Sequence, residues 1–522
     1  MTAGSLSVRV AARDQGDALA VLAPSEGVSL RYGELRMRVA AMWAALRRGG
    51  CLGANVRVAV RTGNSVDTLV LLLALNESGT PFVPLHPRLT DAEAAALMAD
   101  AQTERCIREA ELAELARQTP GARDLADFAA LPSVPDDRLL AILYTSGTSG
   151  QPKGAQLRAS AFVASAAASQ RNLGWQPDDR WLLCLPLCHV GGLSIVTRCL
   201  LARRAIVLLP RPDVPAIWTA IADGRSTLLS VVPTLLSRLL ADDRQRLLCG
   251  LRVVLSGGAA TPQPLYEQAL AQGVPVLRTY GLTEACSQVT VGSYAQARQP
   301  QPGSGRPLDG VELVILPESD EPSPSEDLRP ARVRARALPA GQPGRICLRG
   351  PTLMQGYLHR PPLAGHFFDT GDIGYVEPGA ATDVRAGALH VLSRRTDLIV
   401  TGGENVYPAE VEAALLSHPA VAAALVFGVD DPLWGAKVAA ALVPHPDAMA
   451  TDRATDRATD WATEGQAIAD HLATRLAAFK RPRLVCWVRS LPELANGKPD
   501  RRGAARDLAG QLIPLPSPRV LR

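Results

Sequence analysis

Residues 139–154 read LLAILYTSGTSGQPKG, an apolar run that passes directly into a loop of glycine, serine and threonine. The run Leu139–Leu143 predicts a buried β-strand. In the loop Tyr144–Gly154, backbone N–H groups freed by glycine and the hydroxyls of Ser and Thr suit phosphate oxygens. The loop is not a Walker A motif, because Lys153 follows Pro152 and precedes Gly154 instead of Ser or Thr. The sequence therefore predicts a strand that leads into a phosphate-binding loop.

On both sides of this loop, short apolar runs alternate with longer amphipathic stretches. This alternation predicts an α/β fold: a large N-terminal domain with mostly parallel sheets flanked by helices. The predicted strands are Arg57–Arg61, Pro81–Leu85, Ala205–Leu209, Leu228–Val232, Arg252–Leu255 and Val274–Thr279. The predicted helices are Ser65–Leu75, Val214–Ala222, Thr234–Ala241 and Pro262–Ala271.

A domain boundary is predicted near Leu392–Arg395, where the pattern changes to a compact mix of elements. We place an N-terminal domain at 1–392 and a small, mobile α+β C-terminal domain at 393–522, which is an ordinary domain size. The C-terminal part is predicted to contain helices Pro408–Leu416 and Gln466–Ala478 and strands Val421–Phe427, Lys437–Val443 and Leu484–Val488. Two segments break the pattern: Pro317–Ala340 predicts an extended loop, and the short repeat in Ala450–Glu464 predicts an exposed insertion.

Composition excludes several classes of protein. The chain has 522 residues and a net charge of only +4, which argues against a dedicated nucleic-acid binder. Apolar runs stop at about eight residues, short of the ~20 that span a bilayer, and the N-terminus lacks the apolar core of a secretory signal. Nine scattered cysteines favour reduced, buried thiols without a zinc site. We expect a cytoplasmic protein.

Four further strings follow the loop, and in three of them the residue type alone indicates a role in nucleotide chemistry. Glu284, in Thr279–Ala285 (TYGLTEA), offers the carboxylate that a hard cation on a triphosphate prefers. Asp372, in Asp369–Gly374 (DTGDIG), is predicted in a tight glycine turn, where a carboxylate can accept two ribose hydroxyls. Lys498, in LPELANGKPDR (491–501), can neutralise oxygens during attack on phosphorus. The fourth string is SRRTDLIVTGGENVYPAEVE (393–412).

Taken together and in this order, the strings resemble the motifs of the adenylate-forming superfamily, which includes acyl-CoA synthetases, luciferases and peptide-synthetase adenylation domains. The resemblance runs from about residue 139 to 502. It implies an AMP-forming acid–thiol ligase that uses ATP with Mg²⁺ and takes CoA as co-substrate. It also implies two half-reactions, in which a carboxylate first attacks the α-phosphorus and the CoA thiol then attacks the acyl-adenylate.

The resemblance also implies roles for individual residues. Tyr280 stacks on adenine, Thr283 touches the α-phosphate and Glu284 helps to hold Mg²⁺. Asp372 binds the ribose, and Arg394 contacts ribose or phosphate. The other positions implied to bind nucleotide are Thr145, Ser146, Gly147, Thr148, Ser149, Gly150, Lys153, Gly258, Ala259 and Gly281.

Three features of the C-terminal part follow from the same resemblance. Lys498 is implied to be catalytic, on a mobile loop that reaches the substrate carboxylate and the α-phosphate. Gly402 and Gly403 are implied to border the CoA channel. Ser393 stands at the hinge, where relatives usually have Asp or Lys, and a small residue can still absorb the change in backbone angles.

The identity of the acid depends on the acyl pocket. By the same resemblance, His189, in Leu185–Ser194 (LPLCHVGGLS), lies where the superfamily lines this pocket. With Ser256–Pro262, Thr283–Gln288 and Gly402–Pro408, this string looks most like the o-succinylbenzoate–CoA ligases of menaquinone biosynthesis. A compact acid with a second carboxylate and a keto group would need polar partners. The candidates are His189, Ser287 and Gln288, with His189 also counted among the catalytic residues.

Three alternatives stay open at this point. The chain could be another aryl- or fatty-acid–CoA ligase, or a stand-alone adenylation enzyme that loads a carrier protein on a separate chain. From a different class, it could be a catalytically silent nucleotide-binding relative, although Glu284, Asp372, Arg394 and Lys498 together argue against that. We expect a monomer or homodimer that acts on small molecules, with no nucleic acid and no membrane span.

Overall fold

The structure, a computed structural model, describes residues 6–145, 152–211, 213–242, 246–318, 328–378, 387–394, 397–401, 404–431, 434–445, 457–494 and 499–519. Its helices are α1 (Val8–Gln15), α2 (Tyr32–Arg48), α3 (Val66–Ser78), α4 (Asp91–Asp100), α5 (Glu109–Ala116), α6 (Ala122–Ala129), α7 (Ala159–Leu173), α8 (Val190–Ala202), α9 (Val214–Ala222), α10 (Pro233–Asp242), α11 (Leu247–Gly250), α12 (Gln263–Ala271), α13 (Pro330–Ala335), α14 (Pro408–Leu416), α15 (Arg457–Ala473) and α16 (Arg501–Asp507).

The strands alternate with these helices along most of the chain. They are β1 (Leu19–Ala23), β2 (Val28–Arg31), β3 (Val58–Arg61), β4 (Phe82–Pro84), β5 (Arg105–Arg108), β6 (Leu139–Thr145), β7 (Lys153–Arg158), β8 (Arg180–Leu183), β9 (Ala205–Leu208), β10 (Leu228–Val231), β11 (Val253–Ser256), β12 (Val276–Leu282), β13 (Ser287–Val291), β14 (Arg306–Pro307), β15 (Glu312–Leu316), β16 (Gly344–Arg349), β17 (Gly356–Tyr357), β18 (Phe368–Val376), β19 (Leu389–Arg394), β20 (Ile399–Thr401), β21 (Glu404–Val406), β22 (Val421–Asp431), β23 (Gly435–Pro444), β24 (Leu484–Trp487) and β25 (Ile513–Pro514).

Two large sheets form the centre of the N-terminal part. Within the described residues, one sheet has the order β14-β13-β12-β11-β10-β8-β9-β1-β2 and is parallel from β12 to β1. The other has the order β17-β7-β6-β4-β3-β5 and is parallel from β6 to β5. The prediction of mostly parallel sheets is thus confirmed for these two, and the carboxyl ends of their parallel strands are where ligands bind in open α/β sheets.

Helix α3 shows why the layers hold together. Ser65 caps its first turn by accepting a hydrogen bond from the Thr68 N–H, and Gly79 ends it in the left-handed region at φ +70°. Almost every side chain of α3 is buried, including Val66 and Leu75. A helix that is buried on almost every face must be covered by several neighbours, and α3 packs against α2 and α5.

A third sheet, β15-β16-β18-β19, is antiparallel throughout and was not predicted. It changes the local structure around Asp372. The segment Asp369–Gly374 lies inside β18, so the predicted tight turn is wrong. The pairing of β18 with β16 and β19 shifts register here, and Gly371 has φ +74°, which lets the strand bend without turning.

The C-terminal part folds around its own sheet, β21-β20-β23-β24-β25, with β22 paired to β23. Helix α14 has the predicted bounds, and β22, β23 and β24 lie where strands were expected. The predicted helix Gln466–Ala478 is displaced, since α15 starts at Arg457 and ends at Ala473. Residues 457–464 of the predicted insertion are therefore helical, and residues 450–456 lie outside the described residues.

The predicted extended loop Pro317–Ala340 also needs correction. Residues 330–335 form the short helix α13, which begins with Pro330 at its first position and buries Val333. Residues 319–327 of that segment are outside the described part of the chain. Among the helices that are described, none has the length and apolar character required to cross a bilayer.

Candidate active site

The nucleotide end of the site is marked by a hydrogen bond between two sheets. Tyr280 Oη, from β12, donates to Asp372 Oδ2, from β18, over 2.7 Å. Asp372 is only 5% exposed, and its backbone N–H donates to Thr370 Oγ1 at 3.0 Å. The structure thus brings together the side chains that sequence analysis assigned to adenine and to ribose. Arg394 pairs with Asp372 in the backbone register of β18 and β19, but its side chain is outside the described residues.

Glu284 is held in place by residues from β6, from β17 and from the loop before β17. Tyr357 Oη donates to Glu284 Oε1 at 2.6 Å, and Thr145 Oγ1 donates to the same oxygen at 3.4 Å. The Met354 N–H donates to the Glu284 carbonyl at 2.7 Å. Thr283 precedes Glu284 and opens the single 3₁₀ turn Thr283–Ala285. One oriented carboxylate at this position fits Mg²⁺, which binds one or two carboxylates together with substrate phosphates.

Lys153 lies at the start of β7, close enough to Glu284 for the two charges to interact. Its Nζ is 5.6 Å from the centre of the Tyr357 ring. Burial lowers the pKa of Lys153, Arg360 lowers it further by charge repulsion, and Glu284 opposes both. The predicted loop residues Ser146, Gly147, Thr148, Ser149 and Gly150 lie outside the described residues, so only the flanks Thr145 and Lys153 are located.

Glycines allow β12 to lie close to the residues that follow β11 and to the start of β13. A Cβ on Gly257 would lie 2.6 Å from Thr279 Cγ2, and Gly258 has φ +79°. A Cβ on Gly281 would lie 2.0 Å from the carbonyl oxygen of Ser287. The predicted nucleotide positions Gly258, Ala259 and Gly281 are therefore grouped at the same edge of the nine-stranded sheet, where β11 and β12 end.

His189 stands at the N-cap of α8, after the loop that leaves β8. Asn64 holds this loop: its Nδ2 donates to the carbonyls of Leu185 and Leu209, at 3.0 and 3.3 Å, and its Oδ1 accepts the Leu187 N–H at 2.9 Å. Asn64 is 8% exposed, so these bonds replace those it would make to water. The His189 backbone is thus fixed from a second sheet.

Ser287 and Gln288, the other predicted pocket residues, begin β13, and α8 packs against this strand. Cys286 and Ser287 have φ of +53° and +95°, values that are uncommon outside glycine. The Cys286 carbonyl accepts a hydrogen bond from Ser165 Oγ at 2.8 Å. Gln288 is 5% exposed, and its Oε1 accepts no hydrogen bond from any residue that the structure describes.

Arg198, in the middle of α8, is a buried cation that sequence analysis missed. It is 3% exposed, and its Nε and Nη2 have no hydrogen-bond acceptor among the described residues. Its guanidinium lies 5.4 Å from the Trp181 ring centre and interacts with the Cys286 thiol. Burial lowers its pKa to about 10, so the side chain is still cationic at neutral pH. The sequence did contain a sign of this buried cation, because Arg198 is the one charged residue in the α8 sequence VGGLSIVTRCLLA.

In the C-terminal part, Lys498, Gly402 and Gly403 all lie outside the described residues. The flanks of Lys498 are described: Glu493 and Pro499 form an isolated β-bridge, and the Asp500 N–H donates to the Pro492 carbonyl at 2.9 Å. Ser393 lies near the end of β19 and pairs with Ile373 of β18. All nine cysteines are free; six of them are buried as predicted, and Cys106, Cys188 and Cys249 are partly exposed.

Comparison with known sequences places this site in a family. A profile of the AMP-binding enzyme family matches residues 8–358, and one of the AMP-binding enzyme C-terminal domain matches residues 410–498. The chain belongs to the AMP-binding enzyme family. The 2-succinylbenzoate–CoA ligase of Bacillus licheniformis is 34% identical over 450 residues, which cover 83% of this chain and 86% of that protein. The resemblance that sequence analysis found, to the adenylate-forming superfamily, is confirmed.

Solved structures of AMP-binding enzymes show the same architecture. The o-succinylbenzoate CoA synthetase of Bacillus subtilis, in complex with the acyl-adenylate intermediate OSB-AMP, has a TM-score of 0.75 at 28% identity, over 95% of this chain and 96% of that one. ATP-bound MatB from Rhodopseudomonas palustris has a TM-score of 0.78 at 29% identity, over 96% and 99% of the two chains. The predicted fold class, a large α/β domain and a small C-terminal domain, is confirmed.

Proposed function

We propose that this chain is an AMP-forming carboxylate–CoA ligase that converts o-succinylbenzoate to its CoA thioester through an acyl-adenylate, as in menaquinone biosynthesis. The names of its similar relatives support the reaction and the acid. The structural observation that carries the choice of acid is Arg198. A buried guanidinium without a carboxylate partner costs folding free energy, so we expect its counterion to arrive with the substrate.

A dicarboxylate supplies that counterion. One carboxylate is activated at the nucleotide, and the second is left to pair with a cation. Arg198 lies nine positions after His189 on α8, beside Trp181 near the start of β8 and beside the end of α7, so the acid must reach along α8 to meet it. Its neighbour Cys286 is followed directly by Ser287. A fatty acid would leave this charge unpaired, which disfavours the fatty-acid alternative.

In the first half-reaction, a carboxylate oxygen attacks the α-phosphorus and the bond to pyrophosphate breaks. Tyr280 and Asp372 hold the adenosine, while Lys153 and Thr283 contact the phosphates. Magnesium, when bound, neutralises charge on the triphosphate, and Glu284, oriented by Tyr357, is the residue that would hold it. Lys498 supplies the positive charge that stabilises the oxygens in the transition state.

In the second half-reaction, the CoA thiol attacks the acyl carbonyl and AMP leaves. We place the domain boundary at 392/393, near the end of β19, with Ser393 as the hinge that lets the C-terminal domain withdraw Lys498. Gly402 and Gly403 would then border the channel for the thiol. Water must be excluded throughout, because the mixed anhydride would otherwise hydrolyse. The free cysteines need no role in this chemistry.

The test is pyrophosphate release from ATP and Mg²⁺ with a panel of acids, with and without CoA. The panel contains o-succinylbenzoate, benzoate, medium and long fatty acids, and amino acids. We expect selective turnover of o-succinylbenzoate and formation of its CoA thioester. Preference for another acid would refute the pathway assignment and keep the ligase chemistry, while ATP binding without pyrophosphate release would refute both.

A further inference from the structure

A second imidazole, His86, lies beside His189. Their ring centres are 5.8 Å apart, with 37° between the ring planes. His86 follows the carboxyl end of β4 in the six-stranded sheet, whereas His189 follows β8 in the nine-stranded sheet. The two rings therefore face each other across the gap between the sheets. His86 was not singled out by any sequence motif.

The backbone fixes the tautomer of His86. The Arg88 N–H donates a hydrogen bond to His86 Nδ1 over 3.1 Å. An accepting Nδ1 carries no proton, so the neutral ring must carry its proton on Nε2. Burial lowers the pKa of His86, and Arg88 lowers it further, which keeps the ring neutral at neutral pH. His86 is thus a neutral hydrogen-bond donor through Nε2–H.

We propose that His86 is a specificity-determining residue of the acyl pocket, whose Nε2–H donates a hydrogen bond to the keto oxygen of a 4-oxo acid. This inference rests on the proposed function, because it takes the keto acid as substrate. A ketone is a neutral acceptor and matches a neutral donor. The second carboxylate is an anion and needs a cation, so the two polar groups of the acid call for different kinds of residue.

Cys188 supports a neutral wall at this point of the pocket. One nitrogen of each histidine and the Cys188 Sγ lie within 4.8 Å of one another. Burial raises the pKa of the Cys188 thiol to about 12, so the thiol stays protonated. His86 and Cys188 therefore bring no charge to the pocket, which favours an uncharged substrate group over a carboxylate there.

The same three donors do not suit a metal ion. A histidine that ligates a metal normally donates from its other ring nitrogen to an acceptor. The Nδ1 of His86 instead faces the Arg88 N–H, a donor. A thiol whose pKa is raised also resists the deprotonation that metal binding needs. We therefore assign this cluster to the organic substrate.

The experiment compares two acids in His86→Phe, His86→Gln and the unmodified enzyme. The acids are o-succinylbenzoate and 4-(2-carboxyphenyl)butanoate, in which CH₂ replaces the ketone. We expect His86→Phe to lower kcat/KM for the keto acid by about 30-fold and to change that for the CH₂ analogue by less than about threefold. His86→Gln keeps an N–H donor and should recover most of the keto preference.

Controls distinguish a failure of the role proposed for His86 from a failure of the proposed function. The exposed His366 gives a matched variant, His366→Phe, that should leave both acids unchanged. Protein dialysed against EDTA and returned to Mg²⁺ removes any contribution of a transition metal. Equal losses for the two acids in His86→Phe, or no loss, would overturn the role of His86 alone. No turnover of o-succinylbenzoate by the unmodified enzyme would overturn the proposed function and this inference with it.

Discussion

Tyr280 Oη and Asp372 Oδ2 lie 2.7 Å apart and join the nine-stranded sheet to the antiparallel sheet. The two residues are separated by 92 positions in the chain. Because Asp372 is almost fully buried, its orientation depends on such protein partners more than on water. The proposed adenosine site is thus assembled from two sheets, with the tyrosine both facing the base and orienting the carboxylate for the ribose.

Tyr280→Phe keeps the ring for stacking and removes this hydrogen bond. We expect KM for ATP to rise by about tenfold with little change in kcat, since a hydrogen bond to a charged group is worth about 1.5–3 kcal/mol. Asp372→Ala should raise KM much further, because it removes the ribose acceptor itself. Steady-state kinetics with varied ATP measures both. Tyr375→Phe, on the same strand as Asp372, is the control, and an equal rise in that variant would contradict the assignment.

Sequence and structure agree wherever one local pattern decides the outcome. Each of α9 and α14 is an apolar stretch with a proline in its first two positions, and both were predicted to the residue. The antiparallel sheet around Asp372 was missed, because Asp369–Gly374 carries turn residues and its strand character depends on pairing with two other segments, β16 and β19. Turn chemistry is local, whereas strand pairing is not.

In the candidate site, too, the residues of local motifs were predicted, and the residues that depend on the fold were not. Motif residues such as Glu284 were predicted from their strings, but the tyrosine that orients Glu284 comes from residue 357 and appears only once β17 pairs with β7. Arg198 and His86 were missed because their significance depends on burial and on neighbours from other elements. No spacing rule in one sequence reports either property.

Lys498→Ala tests the division of labour between the two half-reactions. We expect adenylate formation to fall by at least about a hundredfold, since one preorganised charge at a transition state is worth about 3–4 kcal/mol. Thioester formation from supplied acyl-adenylate should be spared. Pyrophosphate release and single-turnover thioester formation measure the two steps. Lys437→Ala, which removes a lysine paired with Asp431 in the same domain, is the control. Equal damage to both steps would contradict the role.

Arg198→Met should separate stability from activity. Replacing a buried, unpartnered cation by an apolar side chain of similar length is expected to stabilise the fold by about 1–2 kcal/mol. The same change should lower kcat/KM for o-succinylbenzoate by about a hundredfold, because the second carboxylate loses its counterion. Thermal unfolding and thioester assays provide the two readouts.

The matched substrate for Arg198 is 4-phenyl-4-oxobutanoate, which lacks the ring carboxylate. Its kcat/KM should be low in the unmodified enzyme and should not fall further in Arg198→Met. If the variant lost activity equally on both acids, Arg198 would be acting on packing and not on the second carboxylate.

Arg501 holds the segment that follows Lys498 to the C-terminal sheet. Its Nη1 and Nη2 donate to the two Glu412 oxygens at 2.5 and 3.2 Å, and Nη1 also donates to the Val426 carbonyl at 3.2 Å. Both side chains of the pair are less than 20% exposed. Arg501→Met would leave Glu412 as a buried, uncompensated charge, and we expect a loss of about 2–3 kcal/mol at pH 8.

The sign of the pH dependence follows from Glu412. Burial raises the pKa of its carboxyl above the ordinary value of 4.5, and Arg501 opposes that rise. In Arg501→Met the positive charge that lowers the Glu412 pKa is gone, so Glu412 binds a proton more tightly in the folded state than in the unfolded state. The stability of this variant should be greatest below pH 4.5 and should be lost as the pH rises through the raised pKa.

Urea unfolding between pH 5 and pH 8 measures this effect, followed by tryptophan fluorescence. The double variant Glu412→Gln/Arg501→Met replaces the buried carboxylate by a neutral amide, so it should regain most of the stability and lose most of the pH dependence. Asp397, which also pairs with Arg501, keeps its charge but is more exposed than Glu412. Adenylate formation by that double variant should still fall, because the anchor of the segment after Lys498 is weakened. A double variant with full adenylation activity would show that the pair stabilises the C-terminal sheet without positioning Lys498.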